Sequence, residues 1–173
     1  ALASLPAAGA HQAPPEVSPA EKDAPQIERE LRAALLDFAG PRPQLDVKAT
    51  PEGVLVSLAD DVEFGMFAIG SAEPLPAAVA LMSRVGDVLK DRPGPIVVRG
   101  HTDSRPYRTA AYDNWRLSSA RAHMAQYMLL RGGVPADRIV RVEGHADRHP
   151  ANPRDKEAAL NRRIEILIGA GKP

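Results

Sequence analysis

The residues best suited to chemistry lie in one stretch: Gly100-His101-Thr102-Asp103, then Asn114, Leu117-Ser118 and Arg121. Asp103 stands just past the β-branched run Ile96-Val97-Val98. Open α/β sheets receive their ligands at the carboxyl ends of such strands. Asn114 and Arg121 are seven residues apart, two helical turns, so they share one face. Taken alone, Asp103 and Arg121 equally describe a structural ion pair, and such pairs are common and worth little at a surface.

A second reading comes from an internal echo. Gly100-His101-Thr102-Asp103 and Gly144-His145-Ala146-Asp147 both follow strand-like runs, with His149 close by. Residues two apart in extended chain point the same way, so each His-x-Asp offers two potential metal ligands. A metal-dependent hydrolase acting on a peptide or amide is the alternative this pattern raises. It lacks a glutamate placed as a zinc enzyme's general base. Ser104 and Ser118 lie near histidines in the sequence, but no Gly-x-Ser-x-Gly elbow supports nucleophilic catalysis.

These residues need a scaffold, and the chain divides into three parts. Residues 1–25 are Ala/Pro-rich, with Pro6, Pro14, Pro15, Pro19 and Pro25, and read as a flexible tether. Residues 26–44 hold a short amphipathic helix with Ile27, Leu31, Leu35 and Phe38 on one face, then a Gly40-Pro41 and Pro43 stop. Four apolar side chains predict only weak docking of that helix. Residues 45–170 form the globular part. Its order is a strand over 54–58, a helix with Leu75, Val79, Met82, Val85 and Leu89 inward, and a strand at 96–98 covered on both faces. There follow a helix over about 113–131 with Leu117, Ala120, Met124, Tyr127 and Met128 inward, a strand at 139–142, a loop or short helix, and a strand carrying Ile164, Ile166 and Ile168. Alternating strands and helices predict a two-layer α/β domain, a mixed β-sheet with helices packed on it.

Composition narrows the function. The 173 residues carry 22 Lys and Arg against 22 Asp and Glu, so the basic excess expected of a nucleic-acid binder is missing. There is no cysteine, which excludes disulfides and thiolate metal sites and fits cytosol and periplasm alike. No apolar run approaches the ~20 residues of a membrane span. The chain opens on Ala1, as expected of a fragment or matured form.

The stretch from Gly100 to Arg121, with Asn114, Leu117, Ser118, Arg121 and Ala122 in order, resembles the OmpA-like peptidoglycan-binding signature. Gly133-Val134-Pro135-Ala136-Asp137-Arg138-Ile139 and the closing Asn161-Arg162-Arg163-Ile164-Glu165-Ile166 are similar to the same family, so the likeness covers roughly 45–168. Within it, Thr50-Pro51-Glu52-Gly53, Met66-Phe67-Ala68-Ile69-Gly70-Ser71-Ala72-Glu73 and Tyr112-Asp113-Asn114-Trp115-Arg116-Leu117-Ser118 look like the flagellar stator B-subunit branch (MotB-type). Ser104-Arg105-Pro106-Tyr107, where other branches place a glycine soon after Thr-Asp, leans the same way.

The resemblance implies non-covalent binding of peptidoglycan through diaminopimelate, a wall-peptide residue with an ammonium and a carboxylate. By motif position Asp103 would take the ammonium and Arg121 the carboxylate, with its two parallel N–H donors. Thr102, Asn114 and the backbone around Phe67 would complete the pocket, with Asn161 and Arg162 at its border. Neither a metal nor a cofactor is implied, and no catalysis. The resemblance also implies a homodimer, a stator A-subunit partner reached through a membrane helix, and a periplasmic place in a Gram-negative cell. The bland readings are that Arg162 and Arg163 are solvated, Asn161 caps a turn, and Trp115 is core or a subunit contact.

Overall fold

The computed structural model describes residues 13–106 and 113–169. Residues 1–12 of the expected tether, Tyr107, Tyr112 and the last residue of the expected domain lie outside the described residues.

The first helix, α1, runs Pro19–Leu36, so it begins eight residues earlier than Ile27. Ser18 opens it through a capping box: the Glu21 N–H donates to Ser18 Oγ at 3.2 Å and the Ser18 N–H to Glu21 Oε2 at 2.7 Å. Pro19 sits in the first turn, where its missing N–H costs nothing. Pro25 lies inside the helix and removes one ladder bond. Burial of Ala20, Ala24, Ile27, Leu31 and Leu35 offsets that loss. The tether reading of residues 19–25 is therefore corrected. So is weak docking: these side chains and Phe38 belong to the main core, Arg84 Nη1 donates to Ala34 O at 2.8 Å, and Arg92 pairs with Glu30 at 2.9 Å.

Five strands make the sheet, in the order β1-β2-β5-β3-β4. They are β1 Gln44–Thr50, β2 Gly53–Ala59, β3 Ile96–His101, β4 Ile139–Gly144 and β5 Arg163–Gly169. Only β3 and β4 pair in parallel; β1/β2, β2/β5 and β5/β3 are antiparallel, so the mixed sheet expected from the sequence is present. β1 was missing from the sequence reading.

Register divides the side chains between two faces. Val56, Ile166, Val98 and Val142 align across the sheet, as do Val54, Ile168 and Ile96, and these join α1, α2 (Pro76–Leu89) and α3 (Asn114–Arg131) in one core. On the other face Val97 joins Leu55 and Leu167 in a small buried apolar patch, so residues 96–98 are buried on both faces as expected, with the helices on one side.

Both helices keep part of their expected faces, with Met82, Val85 and Leu89 of α2 and Leu117 and Met128 of α3 buried. In α2 the buried residues are Ala78, Leu81, Met82, Val85, Gly86 and Leu89, while Leu75 and Val79 are exposed. In α3 Tyr127 is exposed and Ala125 and Leu129 are buried in its place. Trp115 is 49% exposed, which removes it from the core.

Candidate functional site

Two glycines bring α3 onto the strand ends. A Cβ on Gly100 would run into the Ser118 carbonyl oxygen, and one on Gly144 into Ser119. Without side chains, the ends of β3 and β4 admit the first turns of α3 at backbone contact. The repeated glycine of the two Gly-His-x-Asp runs thus serves packing. Ser118 ties the junction: its hydroxyl donates to Trp115 O at 3.0 Å and accepts from the Ala146 N–H at 2.9 Å. That fully buried hydroxyl is a structural brace, not a nucleophile.

Beyond β3 lies a cleft of about 640 Å³, within the size range of small-molecule sites. Asp103, Arg121, Thr102, Asn114, Phe67 and Arg162, all expected from the sequence, line it. Asn161 does not. It is fully buried, accepts from the Asn152 N–H at 2.8 Å and donates to Asp155 O at 2.8 Å, so it braces the 152–161 loop. The border role expected for Asn161 is corrected, because its hydrogen bonds are spent on backbone.

Asp103 and Arg121 are 7% and 6% exposed and have different partners. Asp103 Oδ2 accepts from Arg162 Nη1 at 2.6 Å, and its Oδ1 accepts from the Arg105 N–H at 3.0 Å. Arg121 donates from Nε to Ser71 O at 2.9 Å and from Nη2 to Ala68 O at 3.4 Å, with its guanidinium 5.2 Å from the Phe67 ring centroid. The 67–71 loop therefore fixes the arginine by hydrogen bonds on one side and a cation–π contact on another. Asn114 Nδ2 reaches Arg105 O at 3.3 Å and steadies the turn after Asp103. Thr102 donates its N–H to Ala146 O at 2.9 Å, and its buried Oγ1 has no hydrogen-bond partner among the described residues.

Arg162 is not the solvated strand residue of the bland reading. It bridges two carboxylates, reaching Asp60 Oδ2 from Nε at 2.9 Å as well as Asp103. Asp60, a loop residue by its sequence pattern, also accepts from the Met66 N–H at 3.1 Å. Burial pushes the Asp60 carboxyl up from its ordinary value, against the opposing hydrogen bond and charge of Arg162. The same burial favours a neutral Arg162, but both carboxylates outweigh it and raise its pKa further.

The two His-x-Asp pairs bring their histidines together, but as stacked rings tied to glutamates rather than as a metal site. His101 ends β3 with its ring on the sheet face opposite the helices, where Nε2 lies 2.7 Å from Glu165 Oε1. Asp103 lies beyond the strand, where alternation no longer holds, and points into the cleft. His101 and His145 stack with centroids 5.0 Å apart, and His145 Nε2 is held by Glu143 at 2.8 Å. Among the described residues, no three His, Asp or Glu side chains are grouped to hold a metal. Burial lowers the His101 pKa despite the Glu165 carboxylate. Burial would raise Glu165, but the hydrogen bond and charge of His101, with Arg163, bring it down to about 2.

A mixed sheet with a polar cleft past its strand ends, holding a carboxylate and a guanidinium, defines an α/β domain with a candidate binding cleft. The chain belongs to the OmpA family, whose match spans residues 66–164. Motility protein B of Escherichia coli K12 is 33% identical over 129 residues, 73% of this chain and 42% of that protein. The chain spans 40% to 59% of the length of the first Escherichia coli relatives it matches. The structure of the cell wall anchor of the T6SS from Pseudomonas aeruginosa superposes with a TM-score of 0.67 at 30% identity, covering 85% of this chain and 99% of that one. The periplasmic domain of Helicobacter pylori MotB shares the fold, with a TM-score of 0.66 at 20% identity over 78% of this chain and 85% of that one. The resemblance read from the sequence, to an OmpA-like domain of MotB type, is borne out. Among the described residues no helix is long and apolar enough to cross a membrane.

Proposed function

We propose that this chain anchors a flagellar motor stator to the cell wall, binding peptidoglycan non-covalently through the diaminopimelate of its stem peptide. The observation that carries the reading is a single cleft presenting Asp103 and Arg121, both more than nine-tenths buried, beside Phe67. Such a pair matches a ligand that carries ammonium and carboxylate on one carbon. Asp103 accepts hydrogen bonds from the ammonium, and Arg121 meets the carboxylate, each contact charge-assisted in a partly dehydrated site. Thr102 lines the cleft beside Asp103, and Asn114 holds the Asp103 turn. Nothing is cleaved, so no nucleophile or activated water is required.

The cell wall anchor and motility protein relatives support this reading. In the full protein the domain stands in the periplasm of a Gram-negative cell, as a homodimer, joined to the stator A-subunit by an inner-membrane helix. Two weak sites on one polymer gain avidity without new contacts. The test is co-sedimentation with purified diaminopimelate-type sacculi, in competition with free Ala-γ-Glu-diaminopimelate tripeptide. Binding that the tripeptide displaces is expected. Protein left in the supernatant at every sacculus concentration overturns the proposal.

A further inference from the structure

Asp103 cannot attract an ammonium group by its own charge alone. Its carboxylate is already in contact with the Arg162 guanidinium at 2.6 Å, and a one-to-one pair of that kind is close to neutral at a distance. A second carboxylate changes the sum. Asp60 contacts the same guanidinium at 2.9 Å and also lines the cleft, so two acids share one arginine and the group carries a net negative charge. The side chains of Asp60 and Asp103 are only 13% and 9% exposed, so water screens that charge poorly. Arg105 also approaches Asp103, at 3.7 Å, but its side chain is 63% exposed and counts for less. Arg121 also acts on the Asp60 carboxylate by charge, but its guanidinium is hydrogen-bonded to Ser71 O and Ala68 O and is taken up by the ligand carboxylate in the reading above, while Asp61 and Glu63 on the rim add negative charge.

We propose that Asp60 is the residue that makes the Asp103 end of the cleft selective for an ammonium-bearing ligand, by leaving the Asp60–Arg162–Asp103 group with one uncompensated negative charge. Asp60 also fixes the geometry: its N–H donates to Arg162 O at 3.0 Å, so the end of β2 and the start of β5 hold the bridging arginine in place. The arginine opposes the rise that burial imposes on Asp60, and the surplus acid lets the arriving cation win. This inference rests on the diaminopimelate reading of the cleft.

The experiment compares two probes by calorimetry: Ala-γ-Glu-diaminopimelate, and the same tripeptide with 2-aminopimelate, which keeps the terminal carboxylate and lacks the ammonium. Wild type should prefer the first by more than about tenfold, the scale of one buried charged contact. Asp60→Asn keeps the shape and the acceptor for the Met66 N–H, and removes the charge together with the acceptor for Arg162 Nε. It should erase most of that preference while binding of the aminopimelate tripeptide stays nearly unchanged. The double variant Asp60→Asn/Arg162→Gln restores one net negative charge on Asp103, and the preference should return. A purely structural Asp60 would give no rescue, so failure of the double variant to recover the preference overturns the proposal, as does an Asp60→Asn protein that still prefers the ammonium ligand. Wild type that binds neither tripeptide removes the diaminopimelate reading itself, which separates that failure from one confined to Asp60.

Discussion

Arg162 reaches Asp103 at 2.6 Å although 59 positions separate them in the chain. The contact exists because β5 lies between β2 and β3, so the residue just before β5 meets the end of one neighbour and the exit of the other. Arg162→Ala leaves Asp60 and Asp103 facing each other with no cation between them. Removing one partner of a buried pair costs about 3–5 kcal/mol, and the 26% exposure of the Arg162 side chain reduces that to about 1–3 kcal/mol. Urea unfolding measures it. An unchanged midpoint would mean that the bridge carries no stability.

The glycine contact makes a second prediction. Gly100→Ala drives a methyl group into the Ser118 carbonyl oxygen, so α3 must shift away from β3. Overpacking of this kind costs about 1–3 kcal/mol. Arg121 and Asn114 ride on α3, so ligand binding should weaken together with stability. A folded Gly100→Ala protein with wild-type affinity would show that α3 is not placed by this contact.

The third concerns α1. Leu31 is 1% exposed within the main core, so Leu31→Asp buries a charge and should lower stability of the whole domain by about 3 kcal/mol or more. In hydrogen exchange, amides of residues 27–35 should be protected to a degree comparable with those of β3. Fast exchange there, with an unaffected domain in Leu31→Asp, would restore a detachable helix.

The fourth is a pH dependence. Glu165 titrates near 2 in the folded chain against an ordinary 4.5, so the folded state binds fewer protons there than the unfolded one. Its contribution is complete above about 4.5 and is lost as pH falls towards 2, a swing of about 3 kcal/mol. His101, held below its ordinary 6.5, acts in the same direction, since folding resists its protonation as pH falls from there. Stability should therefore drop on acidification from pH 6.5 and fall more steeply below 4.5. Glu165→Gln should flatten the lower part of the curve; an identical slope in both proteins would remove Glu165 as its cause.

Much of this was legible in the chain because periodicity and motif order are local properties. The alternation of Ile164, Ile166 and Ile168 gave β5, and Gly132-Gly133 marked the end of α3. β1 was also there to be read, as Leu45, Val47 and Ala49 alternate with polar residues, but the prolines just before drew attention to a linker. Ser18-Pro19-Ala20-Glu21 spells a capping box, but the prolines within and after it, Pro19 and Pro25, carry the opposite, helix-breaking signal. The Asp60–Arg162 bridge was of another kind. It depends on β2 pairing with β5 in a register that sets Ala59 opposite Arg163, and no local pattern reveals that. Asn161 misled in the reverse sense, since a motif position says nothing about whether its side chain faces a cleft or a loop backbone.

The most direct test of the account is sacculus co-sedimentation of Asp103→Ala and Arg121→Ala beside wild type, with thermal midpoints measured on the same samples. Losing one partner of a desolvated charged contact costs about 2–5 kcal/mol of binding, enough to move each variant from pellet to supernatant. The account predicts that both lose the wall while remaining folded. Wild-type sedimentation by either variant would contradict it.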